Sequence, residues 1–193
     1  MFFEKLKNYN VLLASNSKRR HELLNQLGVQ YKIINQNVDE SFSNELKGSM
    51  ITDYLAKKKS SLLVNNLKKN DILITSDTIV WHKNTALGKP TDANDAFQML
   101  RSLSGQTHEV ITSVCFKTSA KLKTINSITK VTFKQLSNSE INYYIKNFKV
   151  LDKAGSYGIQ DWIGQIAVTK IEGSYFNVMG FPMDKIYNTL LTF

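Results

Sequence analysis

Asp77 stands in the middle of Asp71-Ile72-Leu73-Ile74-Thr75-Ser76-Asp77-Thr78-Ile79-Val80-Trp81, whose consecutive apolar residues suit a strand covered on both faces. An ionised carboxylate in such a place is costly unless a cation, a metal or backbone N–H groups answer it. Asp77 is therefore either a structural aspartate satisfied by N–H donors or a group held for chemistry. A second chemical stretch is Val11-Leu12-Leu13-Ala14-Ser15-Asn16-Ser17-Lys18-Arg19-Arg20, an apolar run ending in small polar residues and then three cations in a row. Leucines at helical spacing follow as far as Gly28, so Arg19 and Arg20 fall in a first helical turn. Cations there oppose the helix dipole. Either they mark a solvated basic helix start, or an anion is bound where hydroxyls, N–H groups and guanidiniums converge.

Other titratable groups are scattered between these. Asp39 and Glu40 are adjacent in the polar, irregular stretch Asn35 to Ser41, where a solvated pair and a cation site are both open. Lys57 projects away from the apolar stripe of its helix, whereas Lys58 and Lys59 flank it. One of the latter two could snorkel to water or reach into a cleft, and spacing does not choose. Lys89 lies between Gly88 and Pro90, so rigid backbone would hold it. The closely spaced glycines of Asp152 to Gln160 let backbone pass near a ligand or another strand. His108 reads as structural, because no second ligand accompanies it at metal spacing.

The elements that must position these groups follow from periodicity. Val29 to Ile34 reads as a second strand. Met50 to Val64 reads as a helix with Ile51, Tyr54, Leu55 and Leu62 on its apolar side. His82 to Thr85 reads as a hairpin turn, and Thr91-Asp92 starts a helix whose face is Ala93, Ala96, Phe97, Leu100 and Leu103. Glu109 to Ser119 and Lys123 to Phe133 read as an antiparallel pair. Ser137 and Glu140 form a capping box before the helix of Ile141, Tyr144, Ile145 and Phe148. Ile163 to Ile171 is expected as a strand, Gly173 to Pro182 as a loop, and Met183 to Leu191 as a helix. Strands and helices interleave, so the class is α/β with a mixed sheet.

With 193 residues the chain suits one large domain or two lobes sharing a core. Its 42% hydrophobic and 21% charged residues are ordinary for a soluble protein. No apolar run reaches membrane-span length, and the start has no long apolar leader core, so a cytoplasmic protein without membrane association is expected. The single Cys115 excludes an internal disulfide and fits a reducing compartment. The net charge of +9 asks for an acidic partner. Its lysines are spread along the chain without a nucleic-acid motif, which argues against a dedicated nucleic-acid module and leaves phosphorylated small molecules just as compatible with the charge.

The chain resembles the Maf-type nucleoside triphosphate pyrophosphatases. The resemblance is carried by Leu13-Ala14-Ser15-x-Ser17-x-Arg19-Arg20-x-Glu22-Leu23-Leu24, Val38-Asp39-Glu40, Leu55-Ala56-x-x-Lys59 and Ser76-Asp77-Thr78. Gly88-Lys89-Pro90, Leu103-Ser104-Gly105-x-Thr107-His108, Lys153-Ala154-Gly155-x-Tyr157-Gly158-Ile159-Gln160 and Ile171-Glu172-Gly173-Ser174-Tyr175 continue it in family order. Lys18 departs from the pattern, since the family usually has proline there. The resemblance implies one Maf-like domain over residues 1–193, with a mixed twisted sheet flanked by helices and two lobes around a cleft. It implies a homodimer that hydrolyses a nucleoside triphosphate to the monophosphate and pyrophosphate with Mg²⁺ or Mn²⁺. By position, Asp77 matches the catalytic base. Ser15, Arg20, Glu40, Lys59 and Lys89 match its other active-site positions, with Asp77 and Glu40 as metal ligands. Arg19, Thr78 and Gln160 match the positions of substrate choice, and their identities resemble the subgroup acting on dTTP and UTP. The alternatives are a modified purine such as 7-methyl-GTP, or a non-catalytic role in cell division or nucleic-acid binding. No P-loop sequence is present.

Overall fold

The computed structural model describes residues 2–35, 37–63 and 67–193; Met1, Gln36 and Val64, which figure in the stretches above, lie outside them. The elements in order are α1 (Phe2–Leu6), β1 (Asn10–Leu13), α2 (Lys18–Gln26), β2 (Tyr31–Ile33), α3 (Ser49–Ser61), β3 (Asp71–His82), β4 (Thr85–Leu87) and α4 (Ala93–Leu103). Then come β5 (Thr107–Lys117), β6 (Leu122–Phe133), α5 (Asn138–Asn147), a 3₁₀ turn (Ala154–Ser156), α6 (Trp162–Ala167), β7 (Val168–Glu172), α7 (Tyr175–Val178) and α8 (Met183–Leu190). The sheet has seven strands in the order β2-β1-β3-β5-β6-β7, with β4 beside β3. It is mixed, as expected. β1 runs parallel to β2 and β3, whereas β3 with β4 and β6 with β7 are antiparallel.

Two compact units divide the chain. The first comprises residues 1–77, 112–127 and 180–193. Its apolar interior includes Leu13, Leu24, Ile51, Ile72, Leu73, Ile74, Phe116, Ile186 and Leu190. The continuous apolar run of β3 is buried from Asp71 to Asp77, which is why alternation is missing there. The second unit comprises residues 78–111 and 128–179. Its core gathers Leu100, Leu103, Val131, Phe133, Ile141, Tyr144, Tyr157, Ile159 and Ile163.

Several expectations need correction. Tyr54 and Leu62 do not face the interior. They are exposed, and α3 instead buries Ile51, Thr52, Leu55, Ala56, Lys59 and Ser60. Ala93 is exposed as well. The expected strand Ile163 to Ile171 begins as helix α6, and only Val168–Glu172 is extended. Ile163 and Ala167 are both buried, four residues apart on one helical face, and a short apolar run carries no period that separates the two states. The Gly173 to Pro182 loop contains α7, started by the Ser174 side chain accepting the Asn177 N–H. The hairpin and capping-box readings hold: Lys83 and Asn84 carry positive φ between β3 and β4, and Ser137 and Glu140 cap α5 reciprocally.

Candidate active site

Lys59 joins two carboxylates. Its Nζ lies 2.7 Å from Asp77 Oδ1 and 2.8 Å from Glu40 Oε1. Lys59 and Asp77 are buried, whereas the Glu40 side chain is 46% exposed. Two hydroxyl contacts set this geometry. Thr75 Oγ1 donates to Ala56 O at 2.7 Å, fastening α3 to β3 one turn before Lys59 and two residues before Asp77. Thr52 and Ser113 hydroxyls meet at 2.6 Å and fasten the start of α3 to β5. Lys58 turns outward to Asp39 and the Ser41 carbonyl at 3.3 and 3.2 Å. The choice that spacing left open thus falls on Lys59, and the adjacent acids part to separate lysines.

Burial lifts the Asp77 carboxyl above its ordinary range. Lys59 and Arg20 pull it back, and Glu40 pushes in the same direction as burial. A raised carboxylate is a better proton acceptor than an ordinary one, which suits a general base.

The turn after β1 is built as its residue types suggest. Ser15 is buried, and its Oγ accepts the Ser17 N–H at 3.1 Å. Ser17 occupies the N-cap position of α2 without a side-chain cap, and no acidic residue sits in the first turn. The positive end of this helix therefore carries no acidic neutraliser of its own. Arg20 does more than line the turn. Its Nε donates to Gly180 O and its Nη1 to Ser76 O, both at 2.9 Å, so the guanidinium reaches the residue before Asp77. Burial draws it down to about 10 while Asp77 and Glu40 raise it, and it stays cationic at neutral pH. Arg19 is half-buried beside it. Sequence reasoning missed the two carbonyl acceptors, since backbone partners leave no trace in residue type.

The first unit thus brings Glu40, Lys59 and Asp77 into direct contact, and Arg20 into their field; it also holds Ser15 and Arg19. The second unit holds Thr78, Lys89 and Gln160. Thr78 is half-buried on β3. Lys89 is exposed between Gly88, whose carbonyl accepts the Gly155 N–H at 2.9 Å, and the buried Pro90. Gln160 is half-buried, and its Oε1 is enclosed with no hydrogen-bond partner. His108 is structural, as expected, with Nε2 at 2.8 Å from the Tyr157 hydroxyl. Among the described residues, no three His, Cys, Asp or Glu side chains could hold a metal alone. The Glu40–Asp77 pair fits a hard divalent cation that takes its remaining ligands from water and phosphate oxygens. Among the described residues no helix is long and apolar enough to cross a membrane.

Residues 10–193 match the family model described as Maf-like protein. The chain is 54% identical over 192 residues to a dTTP/UTP pyrophosphatase of Flavobacterium johnsoniae, covering 100% of this chain and 99% of that one. It is 52% identical over 191 residues to a dTTP/UTP pyrophosphatase of Flavobacterium psychrophilum, covering 99% and 98%. Among solved structures, the Staphylococcus aureus Ham1 protein shares the fold at a TM-score of 0.56 and 14% identity, covering 95% of this chain and 98% of that one.

Proposed function

The chain belongs to the Maf family, and from that premise we propose that it hydrolyses dTTP and UTP to the nucleoside monophosphate and pyrophosphate. The full-length identity of 54% to a dTTP/UTP pyrophosphatase carries this reading. The Glu40–Lys59–Asp77 group gives it a chemical mechanism.

Asp77 accepts a proton from the water that attacks the α-phosphorus; the bond from that phosphorus to the bridging oxygen breaks, and pyrophosphate leaves. Lys59 keeps Asp77 ionised and aimed, and its charge opposes the negative charge that grows on the phosphoryl oxygens. The uncapped start of α2, with Ser15 and Arg20, and Lys89 bind phosphate oxygens. Glu40 and Asp77 would hold a divalent cation such as Mg²⁺ or Mn²⁺, which when bound would supply charge neutralisation for the phosphate oxygens. Gln160 reads the base edge, with Thr78 and Arg19 completing substrate choice. The enclosed Oε1 of Gln160 supports this role, because an unpartnered buried acceptor awaits an N–H donor. By resemblance, the working form is a cytoplasmic homodimer, checked by sedimentation.

A scan of the common triphosphates with Mg²⁺ or Mn²⁺ tests the reading. Release of pyrophosphate, not orthophosphate, is expected, fastest from dTTP and UTP. A preference for 7-methyl-GTP would overturn the substrate, and absence of turnover on every nucleotide would overturn the reaction. Asp77→Asn keeps the side-chain shape and removes the base. Its kcat should fall by about 10²–10⁴ with an unchanged circular dichroism spectrum; near-normal turnover would show that another group is the base.

A further inference from the structure

The segment that carries Gln160 is fixed from both ends. On one side, the Gly158 N–H donates to the Tyr144 hydroxyl oxygen at 3.1 Å, and that hydroxyl donates to Asp161 Oδ2 at 2.7 Å. The Asp161 N–H returns to Gly158 O at 3.0 Å. Tyr144, projecting from α5, thereby closes a ring of hydrogen bonds around residues 158–161. Buried Lys153 sits against the ring, with Nζ 3.6 Å from Asp161 Oδ2, 2.9 Å from Asp152 Oδ1 and bonded to Lys149 O. The fit leaves no room for a side chain at Gly158, where a Cβ would stand 2.7 Å from Asp161 Oδ2 and 2.9 Å from Lys153 Cε. On the other side, α6 presses Gly164 against the backbone of Ile159, and a Cβ there would lie 1.9 Å from Ile159 O. Ile159 itself is buried. Between these two fixed neighbours stands Gln160, with Oε1 enclosed and unpartnered.

We propose that Tyr144 is a positioning residue for base selection, its hydroxyl holding Gly158 and Asp161 so that the Gln160 amide presents Oε1 to an imide N–H. This deepens the proposal that Gln160 reads the base, and rests on it. The reason lies in the chemistry of the amide. An amide has an acceptor and a donor side, and a loose one can turn over to suit either of two bases. Thymine and uracil offer an N–H between two carbonyls, whereas cytosine offers a ring acceptor beside an amino donor. Discrimination between them requires that the amide be unable to turn, and so requires a rigid mount. Nothing in the sequence spacing flags this tyrosine. It occupies a buried helix position where phenylalanine would satisfy the core equally well.

The test compares kcat/KM for UTP and CTP in wild type, Tyr144→Phe, Gln160→Ala and the double variant. Tyr144→Phe should lower the UTP:CTP ratio about tenfold, mainly by loss of UTP efficiency, while the protein stays folded. In the Gln160→Ala background the same substitution should change the ratio no further. Should Tyr144→Phe fail to fold, Asp161→Ala opens the ring from its other side and should give the same fall. A wild-type ratio in the ring variants beside a lowered ratio in Gln160→Ala overturns the inference alone. Effects on the ratio that multiply in the double variant overturn it too, since Tyr144 would then act apart from Gln160. An unchanged ratio in Gln160→Ala overturns the reading of that residue and the inference with it.

Discussion

A lysine gripping two carboxylates acts as a fixed countercharge, and its removal should be felt twice. Lys59→Ala leaves buried Asp77 beside Glu40 with no ammonium between them. Breaking a buried ion pair costs about 3–5 kcal/mol. Because Glu40 is half solvated, roughly 2–4 kcal/mol is expected here, read as a lower urea midpoint at unchanged m-value. Turnover should fall at least tenfold in the same variant. Loss of turnover with full stability would mean that Lys59 touches substrate and does nothing for Asp77. At this scale the sequence is informative in residue type and silent on pairing. An aspartate inside an apolar run announces that a partner exists, yet Lys58 and Lys59 flank the same stripe, and only the direction of α3 separates them. Arg20 is legible as a cation at a helix start, whereas its carbonyl acceptors at Ser76 and Gly180 are not. Backbone groups are the same in every residue.

Among the elements, α2 offers a clean test of chain preference. Lys18 is its first residue and is exposed, and Ser17 before it is extended at φ −76° and ψ 112°. Both conditions suit proline, which fixes φ near the helical value and needs no N–H partner at a first helical position. Lys18→Pro should therefore stabilise the protein by about 0.4–1 kcal/mol through the unfolded chain. In a protein of this size that corresponds to a melting temperature higher by about 1–4 °C. A lower melting temperature would show that the Lys18 side chain stabilises the turn after β1. Elements with strong local signals are legible from residue order alone: the capping box of α5, the hairpin between β3 and β4, and Asp92 capping α4 by accepting the Asp95 N–H. The helices α6 and α7 are not. Each is short enough that its state is decided by what it packs on: Ile163 and Ala167 of α6 and Asn177 of α7 are buried. The mount of Gln160 is hidden for the same reason.

For the molecule as a whole, His108 gives stability a pH dependence with a definite sign. Burial, helped by His82, draws its imidazole from 6.5 to about 3, so the folded protein holds it neutral. Below pH 6.5 the unfolded chain binds a proton that the folded one refuses, so stability is present above that pH and lost as pH falls toward about 3. The loss can reach about 1.4 kcal/mol per pH unit. Urea midpoints measured from pH 7 to pH 5 should decline, and His108→Asn should flatten the decline; an equal slope in the variant would assign the acid lability elsewhere. His82, drawn down by its own burial, leaves the variant a residual slope of the same sign. The arrangement of the first unit also bears on the order in which the protein comes into being. That unit is assembled from residues 1–77, 112–127 and 180–193, and Arg20 closes onto the Gly180 carbonyl across 160 positions. On a ribosome, Arg20 and Asp77 emerge long before Gly180 does. Arg20 consequently cannot take the Gly180 carbonyl until that residue has been made, so the turn after β1 completes its contacts only after residues from far along the chain have docked.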